Sequence, residues 1–404
     1  MDLDVKSVTL MLLDYCQRED FAGYEPYDAL NSRLLQALPV LDFKLPRLAL
    51  TQFLKRSPVN VRGLLSIPKT QNPKALALFL TSFLRLSRNR IGSAHELIPE
   101  MTERLIELRS PGEDEFAWGY NFPWQTRTVL VPRWAPNLVC TAFVADALLD
   151  AYEQLREERY LTMAESAANY ILNRLYWQES DEVAGFSYPI PEMPSHRVHN
   201  ANFLAAALLL RVHHHTHNER LPEPALRAAR YAARQQQEDG GWAYGEAPTQ
   251  QWIDNFHTGF NLCALRSIAI YSATTEFDDR LRRGLDFYLK HFFRKDGSVA
   301  YYHDGVYPLD AHCVAQAIIT LLTLKDLEPE GAVLIRSVYR WAMENLWDER
   351  GFFYYRVLPY CTIRTSYMRW TQAWMFLALS MLLEAGGEGD AKFSDLAEIG
   401  VTRS

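Results

Sequence analysis

Two hydrophobic patterns alternate along the chain and predict two kinds of helix. In the first, apolar residues recur at i, i+4 and i+7 among charged ones, as at Leu281, Leu285 and Tyr288, which is typical of an amphipathic helix. In the second, the helix is apolar nearly all round, as over residues 314–322, and must be enclosed by other helices. The alternation predicts a ring of enclosed helices inside a ring of amphipathic ones.

A recurring turn separates each amphipathic helix from the enclosed helix that follows it. Its pattern is Gly-aromatic-x-Tyr, ending at Tyr188, Tyr244 and Tyr354, and the turn that ends at Tyr301 has one extra residue. The intervals between these tyrosines hold two helices and two turns, as expected of a helical repeat. We therefore predict an all-α fold, an (α/α)6-type toroid of repeated helix hairpins.

The repeats divide the chain into three predicted regions. The toroid is expected over residues 71–386, with N-terminal helices that either complete a sixth pair or cap the ring. Residues 1–70 are less regular because prolines such as Pro46 and Pro58 interrupt them, and we expect short helices packed on the toroid. Glycines and acidic residues predict a frayed tail over 387–404.

Composition and charge narrow the class of protein. Of the 404 residues, 48% are hydrophobic and 23% charged, which is typical of a globular chain with a large core. The net charge of -7 argues against a nucleic-acid binder. No apolar stretch reaches the roughly 20 residues of a membrane helix, no basic export signal is evident, and the five cysteines form no CxxC pair. We expect a cytoplasmic protein without a membrane span.

Polar residues enter the first turns of the enclosed helices, which would surround one mouth of the central cavity. Helix capping accounts for Asn137 and Asn200, but not for His257 and His312, whose burial without partners would be costly. Each histidine follows an aspartate by two or three residues, so the pair is either a structural hydrogen bond or an oriented proton-transfer group. The catalytic candidates are Asp254, His257, Asp310 and His312.

Aromatic and polar residues of the inter-helix segments are the candidates for substrate binding. Flat apolar faces with polar edges suit sugar rings, and a guanidinium suits a carboxylate or phosphate. Alternatively, the aromatic turns only pack the end of the toroid. The candidates are Trp124, Gln125, Arg127, Tyr188, His199, Tyr244, Trp252, Tyr301, Arg364, Tyr367, Arg369 and Gln372.

We expect neither a metal nor a cofactor. A cluster of four histidines, at positions 213, 214, 215 and 217, would point in different directions around one helix. Convergence of the four catalytic candidates on a divalent ion is the alternative.

A short motif resembles terpenoid cyclases. Gln236-x-x-x-Gly240-x-Trp242 matches the QW motif of squalene and other terpenoid cyclases, which share the α/α toroid. The acidic DxDD motif that protonates the polyene in squalene cyclases is absent. This resemblance therefore supports the architecture rather than isoprenoid chemistry.

Longer motifs resemble an uncharacterised bacterial and archaeal family of toroid proteins. They lie at residues 23–28, 53–58, 118–125, 250–259 and 367–374. Genes of that family lie among those for surface polysaccharides, which implies a carbohydrate context. Some members are labelled δ-aminolevulinic acid dehydratase, but that enzyme is a TIM barrel, and this sequence shows no eightfold alternation of strands and helices.

Three functional hypotheses follow. The first is an enzyme of epimerase, lyase or hydrolase type acting on a sugar, uronate or glycan intermediate of surface-polysaccharide biosynthesis, in contact with polysaccharide-assembly proteins. The second is a noncatalytic glycan-binding or scaffold protein of the same pathway. The third is an isoprenoid-binding or terpenoid-cyclase-like protein.

Overall fold

The computed structural model describes residues 2–37, 43–126, 129–190, 197–387 and 401–402. Most of the segment expected to be a frayed tail, from residue 388 onward, lies outside these ranges. Within them, no helix combines the length and apolarity needed to cross a membrane. All five cysteines are free thiols.

Fourteen α-helices of the described residues form the fold, with short strands in the turns between them. The helices are α1 (Val5–Arg18), α2 (Arg33–Gln36), α3 (Lys44–Arg56), α4 (Pro73–Arg88), α5 (Ala94–Glu107), α6 (Leu138–Leu155), α7 (Glu158–Tyr170), α8 (His199–Thr216), α9 (Pro222–Arg234), α10 (Asn255–Ser272), α11 (Asp278–Phe292), α12 (Ala311–Thr323), α13 (Gly331–Asn345) and α14 (Trp374–Gly387). Single π-helical turns, Ile171–Leu175 and Met368–Ala373, follow α7 and precede α14.

The strands pair antiparallel in small ribbons. They are β1 (Asp2–Leu3), β2 (Trp124–Gln125), β3 (Leu130–Val131), β4 (Tyr176–Gln178), β5 (Ala184–Phe186), β6 (Leu309–Asp310), β7 (Trp347–Asp348), β8 (Phe352–Phe353), β9 (Arg356–Val357), β10 (Thr362–Ile363) and β11 (Val401–Thr402). The pairs are β1 with β11, β2 with β3, β4 with β5 and β7 with β8, and the remaining three form a sheet in the order β10–β9–β6.

Six helices form a closed inner ring. Contacts run in order through α4, α6, α8, α10, α12 and α14, and α14 packs back on α4. Helices α5, α7, α9, α11 and α13 each pack outside the inner helix that precedes them, and α1 packs on α14. The predicted toroid is confirmed, and its sixth pair joins the first helix of the chain to the last.

Burial follows the two hydrophobic patterns. Every residue of α12 from Ala311 to Leu322 is buried, as expected of a helix enclosed by neighbours. In the outer helix α11, Leu281 and Leu285 are buried while Arg282 and Asp286 are exposed. Each fully buried leucine contributes about 1.5–3 kcal/mol to stability relative to an exposed one.

The glycine-aromatic turns lie where the inner helices begin. Gly240, directly before the second marker, has φ +98°, and Gly297 has φ +83°. A Cβ atom would lie 2.2 Å from the Arg283 carbonyl oxygen at Gly240 and 2.4 Å from that of Ser337 at Gly297. Gly240 and Gly297 are therefore required by backbone conformation and by close packing on the next outer helix.

The QW motif holds one of these turns to its helices. Gln236 Nε2 donates to the carbonyl oxygens of Gly240 and Arg280, each at 2.9 Å, and Trp242 Nε1 donates to that of Ala232 at 3.1 Å. In this chain the motif fastens a turn to two outer helices.

The N-terminal segment crosses the mouth of the ring. Gly23 forms a β-bridge with Thr70, and Tyr24 forms one with Tyr367. Asp28 is tied to the buried Arg62, whose Nε lies 2.8 Å from Asp28 Oδ1. Residues 23–28, which we call the N-terminal segment, therefore lie beside the polar residues at this mouth of the ring.

Candidate functional site

The first turns of the inner helices gather polar side chains at one mouth of the ring. Asn137, Asp254 and Asp310 are N-caps, each accepting from a backbone N–H of the first turn. Asn200 was expected to be a cap as well, but it lies inside α8, because Val198 occupies the capping position.

His257 is oriented by Asp254, as the spacing predicts. Its Nδ1 lies 2.7 Å from Asp254 Oδ2, and because a carboxylate only accepts, Nδ1 carries the proton. Trp252 Nε1 donates to the same oxygen at 3.2 Å, while Tyr244 stacks on Trp252 and contacts the His257 ring. The imidazole is therefore fixed with Nε2 available as a proton acceptor.

His312 lies in an aromatic sandwich. Its ring stacks on Phe256 at 4.6 Å and on Trp374 at 4.7 Å, and the edge of Trp370 lies 4.9 Å away. Both ring nitrogens are buried and have no hydrogen-bond partner among the residues that the structure describes. Burial, followed by the charges of Lys74 and Arg369, lowers the pKa of His312 well below its ordinary value, so the ring is neutral.

Asp310 does not orient the His312 ring, contrary to our expectation. From His312 the carboxylate accepts the backbone N–H and not a ring N–H. Trp370 Nε1 donates to Oδ1 at 3.0 Å, and Arg356 Nη2 donates to Oδ2 at 2.6 Å. The carboxylate therefore forms an ion pair with Arg356 of the next repeat. Asp310 is thus a cap and an ion-pair partner.

The two histidines lie on neighbouring inner helices and share aromatic neighbours. Phe256 contacts the His257 ring at 4.3 Å and the His312 ring at 4.6 Å. Phe260, one turn further along α10, lies 6.0 Å from His257 and 5.9 Å from His312. Two imidazoles in different settings therefore pack against the same two phenylalanines, and His257 acts electrostatically on His312.

Arg369 is a buried cation of this mouth. Its Nε donates to Glu25 Oε1 at 3.0 Å, and its Nη2 lies 2.7 Å from Oε2. Burial raises the pKa of Glu25 to about 7, although Arg369 acts in the opposite direction. The guanidinium also lies 5.1 Å from the Tyr120 ring and 5.8 Å from the Phe122 ring.

Tyrosines of successive turns surround the opening. Tyr188 and Tyr301 are buried, and burial raises the pKa of Tyr188 to about 12. Tyr188, Tyr244 and Tyr301 each interact electrostatically with Tyr27 of the N-terminal segment. Tyr27 therefore lies near the centre of the mouth, where Lys55 Nζ donates to its hydroxyl at 2.6 Å.

Three further binding candidates line the sides of the mouth. Trp124 contacts Tyr120 edge-on, and its buried Nε1 has no hydrogen-bond partner. Gln125 Oε1 accepts from Arg47 at 3.2 Å. His199 is buried with Nδ1 unpartnered, and burial lowers its pKa to about 4.

Three candidates take no part in the site that the structure describes, and a fourth is not described. The side-chain amide of Gln372 forms two hydrogen bonds with the backbone of Phe353. It donates to the carbonyl at 2.7 Å and accepts from the N–H at 2.9 Å. Arg364 is exposed and lies over Tyr354. Tyr367 packs under Arg62, and Arg127 lies outside the described residues.

The histidine cluster of α8 lies at the opposite end of the ring. His213 Nδ1 donates to the Asn218 carbonyl at 3.1 Å, and His215 Nε2 lies 2.9 Å from Glu153 Oε1. Within the part of the chain that the structure describes, no three His, Cys, Asp or Glu side chains are arranged to hold a metal ion.

Lys74 and Glu25 are site residues that our sequence analysis did not select. Lys74 shares the signal that singled out the histidines, a polar residue in the first turn of an apolar helix. Glu25 lies in the motif 23–28, which was noted only as a resemblance. The signal was present for both, but neither lies beside a glycine-aromatic turn, where we looked for function.

No family model matches the chain, and no curated protein does. Solved structures share its fold at low identity. The Lin0763 protein from Listeria innocua has a TM-score of 0.62 at 12% identity, covering 94% of this chain and 97% of that one. The cellobiose 2-epimerase from Bacillus thermoamylovorans has a TM-score of 0.59 at 12% identity, covering 78% and 90%.

A glycoside hydrolase of family 76, a mannosidase from Bacteroides thetaiotaomicron, is similar in the same way. Its TM-score is 0.59 at 11% identity, with 77% of this chain and 86% of that chain covered. At such identities the likeness concerns the architecture. The chain therefore shares the α/α-toroid fold of these proteins.

Proposed function

We propose that the protein is a carbohydrate-active enzyme of epimerase or isomerase type, which moves a proton at a carbon next to a sugar carbonyl. One observation carries the proposal: two imidazoles from adjacent inner helices pack against the same two phenylalanines, one oriented by a carboxylate and one neutral, with no hydrogen-bond partner among the described residues. The fold shared with a cellobiose 2-epimerase supports a sugar as the substrate.

The two settings suit a base and an acid on opposite sides of a planar intermediate. His257, with its Nδ1 proton held by Asp254, accepts the carbon-bound proton at Nε2. His312 exchanges a proton with the other side. Arg369 places positive charge near His312, and such charge stabilises a transition state in which an enolate oxygen develops.

A glycoside hydrolase would need a pair of carboxylates free to act as acid and nucleophile or base. The carboxylates described at this mouth are each held by a basic partner. Glu25 pairs with Arg369 and Asp310 with Arg356, while the carboxylate of Asp254 accepts from His257. This arrangement favours proton transfer by histidine over glycoside hydrolysis.

The isoprenoid hypothesis fits this mouth less well. It calls for a dry aromatic cavity with a buried acid, whereas Lys74, Arg369 and His312 crowd polar groups into the aromatic lining. The resemblance to a family encoded among surface-polysaccharide genes supports a cytoplasmic intermediate of that pathway as the substrate, with assembly proteins as partners.

The test is proton exchange in D2O. Reducing sugars and uronates are incubated with the protein, and NMR follows loss of the proton signal next to the carbonyl or carboxylate. We expect exchange with one sugar class, and a fall of about 10²–10⁴-fold in His257→Gln and His312→Gln.

The matched control is His95→Gln, on an outer helix and 65% exposed, which should leave exchange unchanged. Binding of a sugar without exchange, unaffected by both histidine variants, would replace the proposal with the glycan-binding alternative. Exchange next to the carboxylate of a uronate alone would make the reaction a C5 epimerisation or lyase step.

A further inference from the structure

Lys74 lies in the first turn of α4, and its amine is packed among aromatic rings of other inner helices. Its Nζ lies 4.0 Å from the centre of the Phe143 ring, 5.2 Å from Phe260 and 5.1 Å from Trp374. These rings contact one another, with Phe143 and Phe260 each packed against Trp374 at 5.4 and 5.3 Å. The amine is thus enclosed by an aromatic cage contributed by three inner helices.

The amine has no ion-pair partner among the described carboxylates, although Lys74 is only 3% exposed. Arg369, Cys140 and Glu25 are the charged or titratable groups acting on it. Burial, followed by the charge of Arg369, lowers the pKa of Lys74 well below its ordinary value, while Cys140 and Glu25 oppose this. This shift favours the unprotonated amine, which is a nucleophile.

The cage adjoins the histidine pair. Trp374 contacts both the Lys74 amine and the His312 ring, and Phe260 contacts both as well. Single aromatic side chains therefore connect the surroundings of the amine with those of the histidine pair.

We propose that Lys74 captures the open-chain carbonyl of the substrate as an imine, so that the substrate class is reducing sugars rather than glycosides. This inference rests on the proposed function. A cage of aromatic faces suits the step, because the iminium formed is a cation that such faces stabilise.

The step balances without a further reactant. The Nζ lone pair forms a bond to the carbonyl carbon, and the carbonyl π pair moves to oxygen. One amine proton passes to that oxygen, and a second proton, taken up from solvent, lets the oxygen leave as water while the nitrogen lone pair forms the C=N bond of an iminium. His257 removes the proton from the adjacent carbon, whose electron pair forms a C=C bond as the C=N pair moves to nitrogen. His312 donates a proton to the carbon from one ring nitrogen while its other nitrogen takes one up from water, and His257 releases its proton to solvent. Water then adds to the iminium, and the amine and one proton are released.

The test is reductive trapping at neutral pH. The protein is treated with glycolaldehyde, or with D-mannose, in the presence of cyanoborohydride, and mass spectrometry measures the labelling rate of each lysine. We expect Lys74 to be labelled about tenfold or more faster than Lys69, a half-exposed lysine paired with Glu19. Mannitol, which has no carbonyl, should give no label.

Variants separate this inference from the proposed function. Lys74→Arg keeps a cation but cannot form an imine, and should lose both the label and proton exchange, whereas Lys69→Arg should lose neither. Labelling of Lys74 no faster than Lys69, or full exchange in Lys74→Arg, overturns the imine. If Lys74 is labelled rapidly but exchange is absent or independent of the histidines, the proposed function fails and the reactive amine stands.

Discussion

Burial shifts the pKa values of the titratable residues at the mouth more than their charged partners do. Burial raises the pKa of Glu25 to about 7 and lowers that of His199 to about 4. Lys74 and His312 shift in the direction that favours their neutral forms as well. Neutral forms of bases and acids near pH 7 are what proton transfer through a carbon acid requires.

Glu25 should give the protein an unusual pH dependence of stability. Because its folded pKa of about 7 lies above the ordinary value of 4.5, the native state binds more protons than the unfolded state between these values. Stability should therefore fall as pH rises from 4.5 to 7, by about 3 kcal/mol from this group. Urea unfolding of wild type and Glu25→Gln across this range should show the fall only in wild type, and parallel curves would contradict it.

Asp254 and Asp310 should respond differently to the same change. Asp254→Asn keeps a good helix cap and loses the carboxylate that holds His257, so proton exchange should fall by about 10²-fold or more with little loss of stability. Asp310→Asn leaves Arg356 buried without its counter-ion and should cost about 3–5 kcal/mol of stability. Proton-exchange kinetics and chemical denaturation of both variants test this difference. Equal losses of exchange and of stability in the two variants would contradict the separate roles of Asp254 and Asp310.

Spacing along a helix predicted one aspartate's role and missed the other's. Asp254 and His257 meet because residues three apart share a helical face. Asp310 had the same kind of neighbour in His312, but Arg356 and Trp370 arrive from the following repeat and occupy the carboxylate. Contacts between repeats do not appear in the spacing of one helix.

At the scale of elements, Gly297 of the turn that ends at Tyr301 carries two separable constraints, one from backbone conformation and one from packing. Gly297→Ala would place a methyl group against the Ser337 carbonyl at φ +83°, whereas Gly112→Ala at φ +82° would meet no atom within 4 Å. We expect a loss of about 1–2 kcal/mol for Gly112→Ala and about 2–5 kcal/mol for Gly297→Ala, which adds overpacking. Denaturant titration measures both, and equal losses would show that packing contributes nothing.

The turn motif was predictable because it depends on residues that are adjacent in sequence. The side chains that hydrogen-bond the backbone of the turn could not be predicted in this way. Gln372 was interpreted as a ligand residue inside an apolar helix, yet its amide holds the backbone of Phe353. Asn202 accepts in the same way from the Phe186 N–H at 2.8 Å. A buried amide on an inner helix thus fastens the preceding turn, and this explanation was missing from the sequence analysis.

At the scale of the whole molecule, the ring is closed by the two ends of the chain. α1 packs outside α14, and Glu384 of α14 lies 2.7 Å from Arg88 of α4. Periodicity predicted the helix pairs, because each pair is local. It left open whether the N-terminal helices complete or cap the ring, since that depends on a contact between residues almost 400 positions apart.

Closure makes the first helix as important to stability as the central ones. Leu12 of α1 is fully buried, and Leu12→Ala should cost about 2–5 kcal/mol. Leu64, which is 80% exposed, is the control, and Leu64→Ala should change stability by less than about 0.5 kcal/mol. Chemical denaturation compares them, and a small effect of Leu12→Ala would mean that α1 is not part of the cooperative unit.

Closure by the last helix also has a consequence for synthesis. The chain grows from its N-terminus, so α1 emerges first, and the inner helix on which it packs emerges last. At about 5–20 residues per second, the apolar face of α1 that contacts α14 waits about 20–75 seconds for its partner, that of α4 about 15–60 seconds and that of α12 about 3–13 seconds. Until then the nascent protein is an incomplete ring whose two ends expose apolar helix faces. A ribosome that stops early therefore releases a chain that no amount of time can fold into the ring.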